Sequence, residues 1–218
     1  MNWHDLSTGL AQYLCVIVVI TLHEFGHAWM SSRCGDDTAR MLGRVSLNPL
    51  AHIDPIGTVA LPLLSLFLSL AGHGNIASFI IGWGKPVPVN YLNLRDVDRD
   101  SLKIAMAGPA MNVILTVVVV AVSKLAMLAN AGAIVEAGLV LAQLSMLLFF
   151  FNLIPVPPLD GSHILRFITR MSWETFAHLS RFGFLIVIFL IQLPAVRVYL
   201  HDSTIFSVAA LVHLLRIE

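Results

Sequence analysis

The chain has 218 residues, 57% of them hydrophobic and only 12% charged, where an ordinary soluble domain carries about a quarter charged. That composition excludes a soluble globular domain and puts most of the length in or on a bilayer. Its 13 basic and 13 acidic residues cancel to a formal charge of zero, so no nucleic acid or other polyanion is expected as a partner.

The first element is the apolar stretch Gly9 to Met30, GLAQYLCVIVVITLHEFGHAWM, inside a span from about Ser7 to Ser32. About twenty mostly apolar residues suffice to cross a membrane. An ionisable residue inside such a span costs about 2.5–3.5 kcal/mol on insertion scales, so His23, Glu24 and His27 need a purpose. The spacing His-Glu-x-x-His sets two imidazoles at i and i+4, on one helical face, where both can reach one Zn²⁺. Glu24 is then placed to act as base on water at that metal. The N-terminus, MNWHDLSTG, lacks the basic n-region of a signal peptide, so the helix is expected to be retained. Cys15 and Cys34 would sit about 28 Å apart on one helix and cannot pair.

Residues 33–55 form a polar connector that ends in LNPLAHIDPIG, where two prolines disfavour helix. An apolar run from Ile56 to Ala71 follows, interrupted by Pro62, and four glycines punctuate the chain up to GWGKPVPVN. There Pro86 and Pro88 alternate with Val87 and Val89, which suits an exposed edge strand. Ser101 to Leu128 is a second long helix, with AGPAMN and its kinking proline early in it. A four-residue connector, Ala129 to Gly132, leads to a third span, Ala133 to Asn152. It closes in NLIPVPPLDG, whose prolines leave Asp160 on irregular backbone, tolerated at membrane depth only inside protein or beside a wet cavity. Residues 161–181 read as an amphipathic helix and turn, and Phe182 to Leu200 as a fourth span with Pro194 near its end. Ser203 to Ile217 is short enough to lie at the interface. The fold class expected is an all-α polytopic membrane protein: a three-helix catalytic core with a short re-entrant or β-hairpin element, then one or two C-terminal helices. All of it forms one domain, residues 1–218, with the core at about 8–165 and the C-terminal helices at about 166–218.

Ten of the 13 basic residues fall in segments 33–55, 85–103 and 161–181. All three face the cytoplasm together if residues 56–84 enter the membrane and return to the same side, which fits the preference of basic loops for that face. His23 and His27 and the turn bearing Asp160 then arrive at similar depth.

A catalytic zinc site takes three protein ligands and leaves one position open. Candidates for the third are Asp54, Asp160, His52 and His163; Asp160 is preferred because it closes a second long span. The alternative is that it caps the helix opening at Gly161. His52 and Asp54 could brace a ligand or face substrate, or be no more than a polar turn. The extended GKPVPVN segment, with Lys85, Val87 and Val89, offers an edge to which an unwound substrate could add a strand.

HEFGH at 23–27 and NLIPVPPLDG at 152–161, in that order, resemble the two signatures of the site-2 protease family of intramembrane zinc metalloproteases. SLNPLAHIDPIG, GKPVPVN and AGPAMN resemble it too, and the likeness covers about residues 8–165. It implies one Zn²⁺ held by His23, His27 and Asp160, Glu24 as catalytic base, and Asn152 holding the substrate backbone or the oxyanion. It also implies a transmembrane protein as substrate, cut in or near its membrane segment, and a bacterial plasma membrane as location with the site towards the cytoplasm. Many relatives carry a PDZ domain between the second and third core spans; the four-residue connector here resembles the compact branch without one. Two rivals remain: a zinc peptidase acting on soluble or lipidated peptides with Glu174 as third ligand, and a zinc-binding membrane chaperone or transporter without proteolysis.

Overall fold

The computed structural model describes residues 3–72 and 82–215. Among these, the helices in chain order are α1 (Trp3–Cys34), α2 (Thr38–Met41), α3 (Leu61–Leu70), α4 (Val97–Leu128), α5 (Gly132–Asn152), α6 (Gly161–Thr169), α7 (Trp173–Gln192) and α8 (Pro194–Leu214). Five of them, α1, α4, α5, α7 and α8, are long and apolar enough to cross a bilayer. The polytopic all-α architecture expected from the sequence is the one observed.

Helices α1, α4 and α5 form the core, and small residues bring them together. A methyl on Gly26 of α1 would lie 2.6 Å from the Ala107 carbonyl oxygen of α4. One on Gly138 of α5 would lie 2.2 Å from Ser123 Oγ of α4. In lipid the hydrophobic effect does not drive helices together, so close backbone approach and buried polar contacts take its place. Thr116, Ser123 and Ser145 are accordingly buried between the helices, while Leu125, Leu185 and Phe189 point outwards.

The C-terminal part departs from expectation. The span foreseen as Phe182–Leu200 is broken at Leu193, which is extended (φ −69°, ψ 126°), and Pro194 opens a new helix. Proline has no N–H to offer a preceding turn and keeps the residue before it out of helical geometry, whereas its fixed φ suits a first turn. The amphipathic segment also divides: α6 ends at Arg170, in the left-handed region at φ 54°. Ser172 then caps α7 by accepting from Thr175 N at 3.2 Å. Both α7 and α8 follow the core, and residues 203–214 are the second half of a 21-residue helix instead of a short interfacial piece. α8 runs antiparallel beside α5: Tyr199 meets Phe150 (ring centroids 6.1 Å apart), and Lys124 of α4 donates to the Leu215 carbonyl beyond the other end of α8. A cluster of Val120, Ala142, Met146 and Val208 lies between these contacts.

Between α1 and α4, the described residues on either side of 73–81 meet at one neck. Asp54 starts a π-helical turn, Pro55–Ala60, that runs into α3. At the neck Trp83 N donates to Gly57 O (3.1 Å), and Thr58 Oγ1 donates to Trp83 O (2.7 Å). Tyr13 of α1 donates to Thr58 O at 2.9 Å and fixes the segment that leads into α3; the return expected from the sequence falls on residues 73–81, outside the described residues. No strand occurs among the described residues, so the β-hairpin form of this element is not observed. The GKPVPVN segment pairs with no strand among the described residues, and Pro86 and Pro88 have no N–H to give a ladder.

Two polar anchors pin that extended segment. Arg44 donates to the carbonyls of Lys85 (2.5 Å) and Pro86 (3.1 Å). Asp36, fully buried just beyond α1, accepts from Asn90 N (2.8 Å), Asn93 Nδ2 (2.9 Å), Ser31 Oγ (3.1 Å), Thr38 N (3.1 Å) and Thr38 Oγ1 (2.5 Å). Burial works against its ionisation, but bonds from Thr38, Asn93 and Asn90 outweigh it and hold the carboxyl at about 2.

Candidate active site

His23 and His27 occupy successive turns of α1 on the face turned to α4, where both are buried. Their Nε2 atoms lie 3.1 Å apart. Asp160 Oδ2 lies 3.3 Å from His23 Nε2 and 3.4 Å from His27 Nε2. These edges match the roughly 3.3 Å expected between ligands about 2.0–2.1 Å from a tetrahedral zinc. Gly108 of α4 makes room, since a methyl there would sit 2.3 Å from His27 Nε2.

Proton positions decide what the triangle can do. His27 Nδ1 is 2.7 Å from the Ile104 carbonyl. A carbonyl only accepts, so the ring donates through Nδ1 and neutral His27 presents a lone pair at Nε2. Asp160 Oδ2 is buried and has no hydrogen-bond donor other than what the imidazoles could supply. Acceptors this close repel unless positive charge lies among them, so the donor set suits a divalent cation bound by nitrogen and carboxylate oxygen.

Asp160 reaches this point from the turn between α5 and α6, whose Pro157–Pro158 bond is cis. It has helical dihedrals (φ −59°, ψ −35°) and makes no capping hydrogen bond, which removes the helix-cap alternative. Arg166 fastens α6 to the start of α4 through Asp98 (2.5 Å), with its guanidinium 3.5 Å over the Trp173 ring.

A cavity of about 360 Å³ opens on the triangle, and Glu24, Asn152, Val87 and Val89 line it. Glu24 abuts the extended segment: a methyl on Gly84 would lie 3.3 Å from its Oε1. Asn152 donates back to Leu148 O at 3.0 Å within α5. Three expected site residues stand elsewhere. Lys85 does not line the cavity, and its backbone is occupied by His52 O (2.9 Å) and Arg44. Asp54 accepts from Ile56 N (3.0 Å) and Gly57 N (2.7 Å), so its carboxylate caps the π-helical turn. His52 bonds Ser46 O at 2.8 Å inside the connector and braces that loop. The polar residues between two prolines thus serve the local turn, as Asx and capping chemistry favours. His163, weighed as a ligand, borders the cavity and packs on Phe176 at 5.1 Å between centroids. A larger, mostly apolar groove of about 730 Å³ adjoins and shares Ile20, Gly82, Leu148 and Phe151 with the cavity.

The model of peptidase family M50 matches residues 122–191, which hold Asn152 and Asp160 but not the HEFGH helix. The Bacillus subtilis protein YwhC, whose name carries the words zinc metalloprotease, is 32% identical over 171 residues, covering 75% of this chain and 71% of that one. The chain belongs to peptidase family M50. The Rip2 proteins of Mycolicibacterium smegmatis and Mycobacterium tuberculosis, likewise named as zinc metalloproteases, are 31% and 30% identical. The matches cover 83% and 66% of this chain but only 66% and 52% of those proteins. No solved structure matches the chain. With five apolar helices, this M50 member is an integral membrane protein, in contact with a lipid bilayer.

Proposed function

We propose that the M50 chain is an intramembrane zinc metalloprotease of one domain, holding one Zn²⁺ through His23 Nε2, His27 Nε2 and Asp160 Oδ2. The family and the names of its relatives support the activity. The observation that carries the site is the buried triangle of acceptors with edges of 3.1, 3.3 and 3.4 Å, beside Glu24. Held by these three side chains, Zn²⁺ would supply Lewis acidity towards the scissile carbonyl and towards water near neutral pH. Glu24, on the cavity wall, would take the proton of the attacking water and deliver it to the leaving nitrogen. Asn152, on the cavity wall, holds the substrate backbone or the developing oxyanion with its carboxamide.

The substrate is a transmembrane protein segment. A helical segment hides its carbonyls in its own hydrogen bonds, so it must unwind before attack. The apolar groove beside the cavity suits the intact part, and the Pro86–Val89 stretch suits the unwound part. The site faces the cytoplasm of a bacterial cell. In support, Arg44 meets Lys85 and Pro86, and Arg166 meets Asp98, which gathers the three basic segments at one end of the bundle.

Glu24→Gln tests the reading. The purified variant should keep one zinc, and cells producing it should accumulate single-span membrane proteins that the wild type removes. A variant that still clears them, or a wild type without zinc, overturns it.

A further inference from the structure

Asn112 lies on α4 one turn after Gly108, fully buried where α1, α4 and α5 meet. Its carboxamide nitrogen, Nδ2, is 3.2 Å from His23 Nδ1. Its backbone carbonyl accepts from Ser145 Oγ of α5 at 2.9 Å and from Thr116 Oγ1 at 2.9 Å. Its Oδ1 is buried without a partner. A polar carboxamide shut away at membrane depth is costly unless hydrogen-bonded.

The two imidazoles are oriented by different means. His27 gives its Nδ1 proton to the Ile104 carbonyl, which no substitution removes. His23 turns Nε2 to Asp160 and Nδ1 to Asn112. For Nε2 to present a lone pair, the proton must stand on Nδ1 and find an acceptor there. The ends of a carboxamide exchange by a half-turn about χ2, so Asn112 can offer its oxygen at this distance. We propose that Asn112 is a positioning residue for the metal site: its Oδ1 accepts from His23 Nδ1–H and so fixes the tautomer and ring plane that aim Nε2 at zinc. The bonds from Ser145 and Thr116 hold the Asn112 backbone, so the chain of contacts runs from α5 through α4 to the imidazole on α1. Partners of this kind raise ligand basicity and typically matter 10- to 100-fold in metal affinity. The inference rests on His23 being a zinc ligand.

The test is zinc affinity of the purified full chain, by competition with a chelator of known affinity. Asn112→Leu keeps the shape and loses the acceptor; Asn112→Asp keeps an acceptor. We expect Asn112→Leu to bind zinc about 10- to 100-fold more weakly, and Asn112→Asp to match or exceed the wild type. Equal loss in both variants, or no loss in Asn112→Leu, overturns the proposal, because a purely structural role would not distinguish oxygen acceptors from none. Should Asn112→Leu not accumulate in membranes, Asn112→Asp decides alone: a tenfold loss refutes. His23→Ala separates the underlying reading, since zinc retained at wild-type affinity there sinks the ligand assignment itself.

Discussion

Gly108→Ala asks whether the space facing the imidazoles is there for a metal. The added methyl would stand 2.3 Å from His27 Nε2, 2.5 Å from His27 Cε1 and 2.7 Å from His23 Cε1. An ordinary contact begins at 3.4 Å, so the His27 ring must retreat by about 1 Å. Zinc–ligand distances tolerate about 0.2 Å, so such a retreat removes a ligand. The fold itself loses little. Alanine exceeds glycine in a helix interior by about 1 kcal/mol, which offsets part of an overpacking cost of about 1–3 kcal/mol. The zinc-free variant should therefore melt close to the zinc-free wild type. The difference appears on adding metal: at a hundred times the dissociation constant, zinc should stabilise the wild type by about 2.7 kcal/mol and the variant by almost nothing. Thermal melts with and without zinc, together with metal analysis after dialysis, measure both quantities. A variant that binds one zinc at wild-type affinity would show that the imidazoles are not held where the ligand geometry requires.

Gly183→Ala presses on the same site from the other side. A methyl there would come 2.1 Å from the Pro157 carbonyl oxygen, a backbone atom that cannot swing aside, so α7 must lift off the turn bearing Asp160. We expect a stability loss of about 1–3 kcal/mol and weaker zinc binding; an unchanged melt of the zinc-loaded protein would refute this. Asp36→Asn should cost about 1.5–3 kcal/mol near neutral pH, the worth of a hydrogen bond to a charged group. The folded carboxyl is held at about 2, below its ordinary 3.8, so its contribution is present above pH ~4 and lost as pH falls towards ~2. Melts of wild type and variant should converge over that window, and a gap that stays constant down to pH ~2 contradicts the ionised anchor.

The first helix and both halves of the triangle were legible because their signals are local. The i, i+4 spacing of His23 and His27 fixes a shared face, and three prolines mark the turn that frees Asp160. Prolines misled where position matters more than presence: Pro194 reads as the fraying end of a span but serves as the first residue of α8. Val87 and Val89 face the cavity, yet Lys85, just before Pro86, is tied to Arg44 and His52. No spacing rule foretells that pairing, because Arg44 lies in another segment. His52 and Asp54 looked available only because a sequence does not reveal how many backbone donors a turn leaves to be capped. Asn112 and Gly108 escaped because they are far along the chain from the histidines they touch. One clue was there: an uncharged amide inside an apolar span carries the same cost argument that singled out Glu24.

On the proposed ligand set, a zinc site shared between α1 and the turn after α5 is completed late in synthesis. The ribosome releases the two imidazoles first, and the carboxylate only after two further core spans have followed. Until then the nascent chain has two of its three ligands, in a helix without the neighbours that orient them. On that ligand set, a peptidase assembled in this order stays inert until its third core span has followed the first.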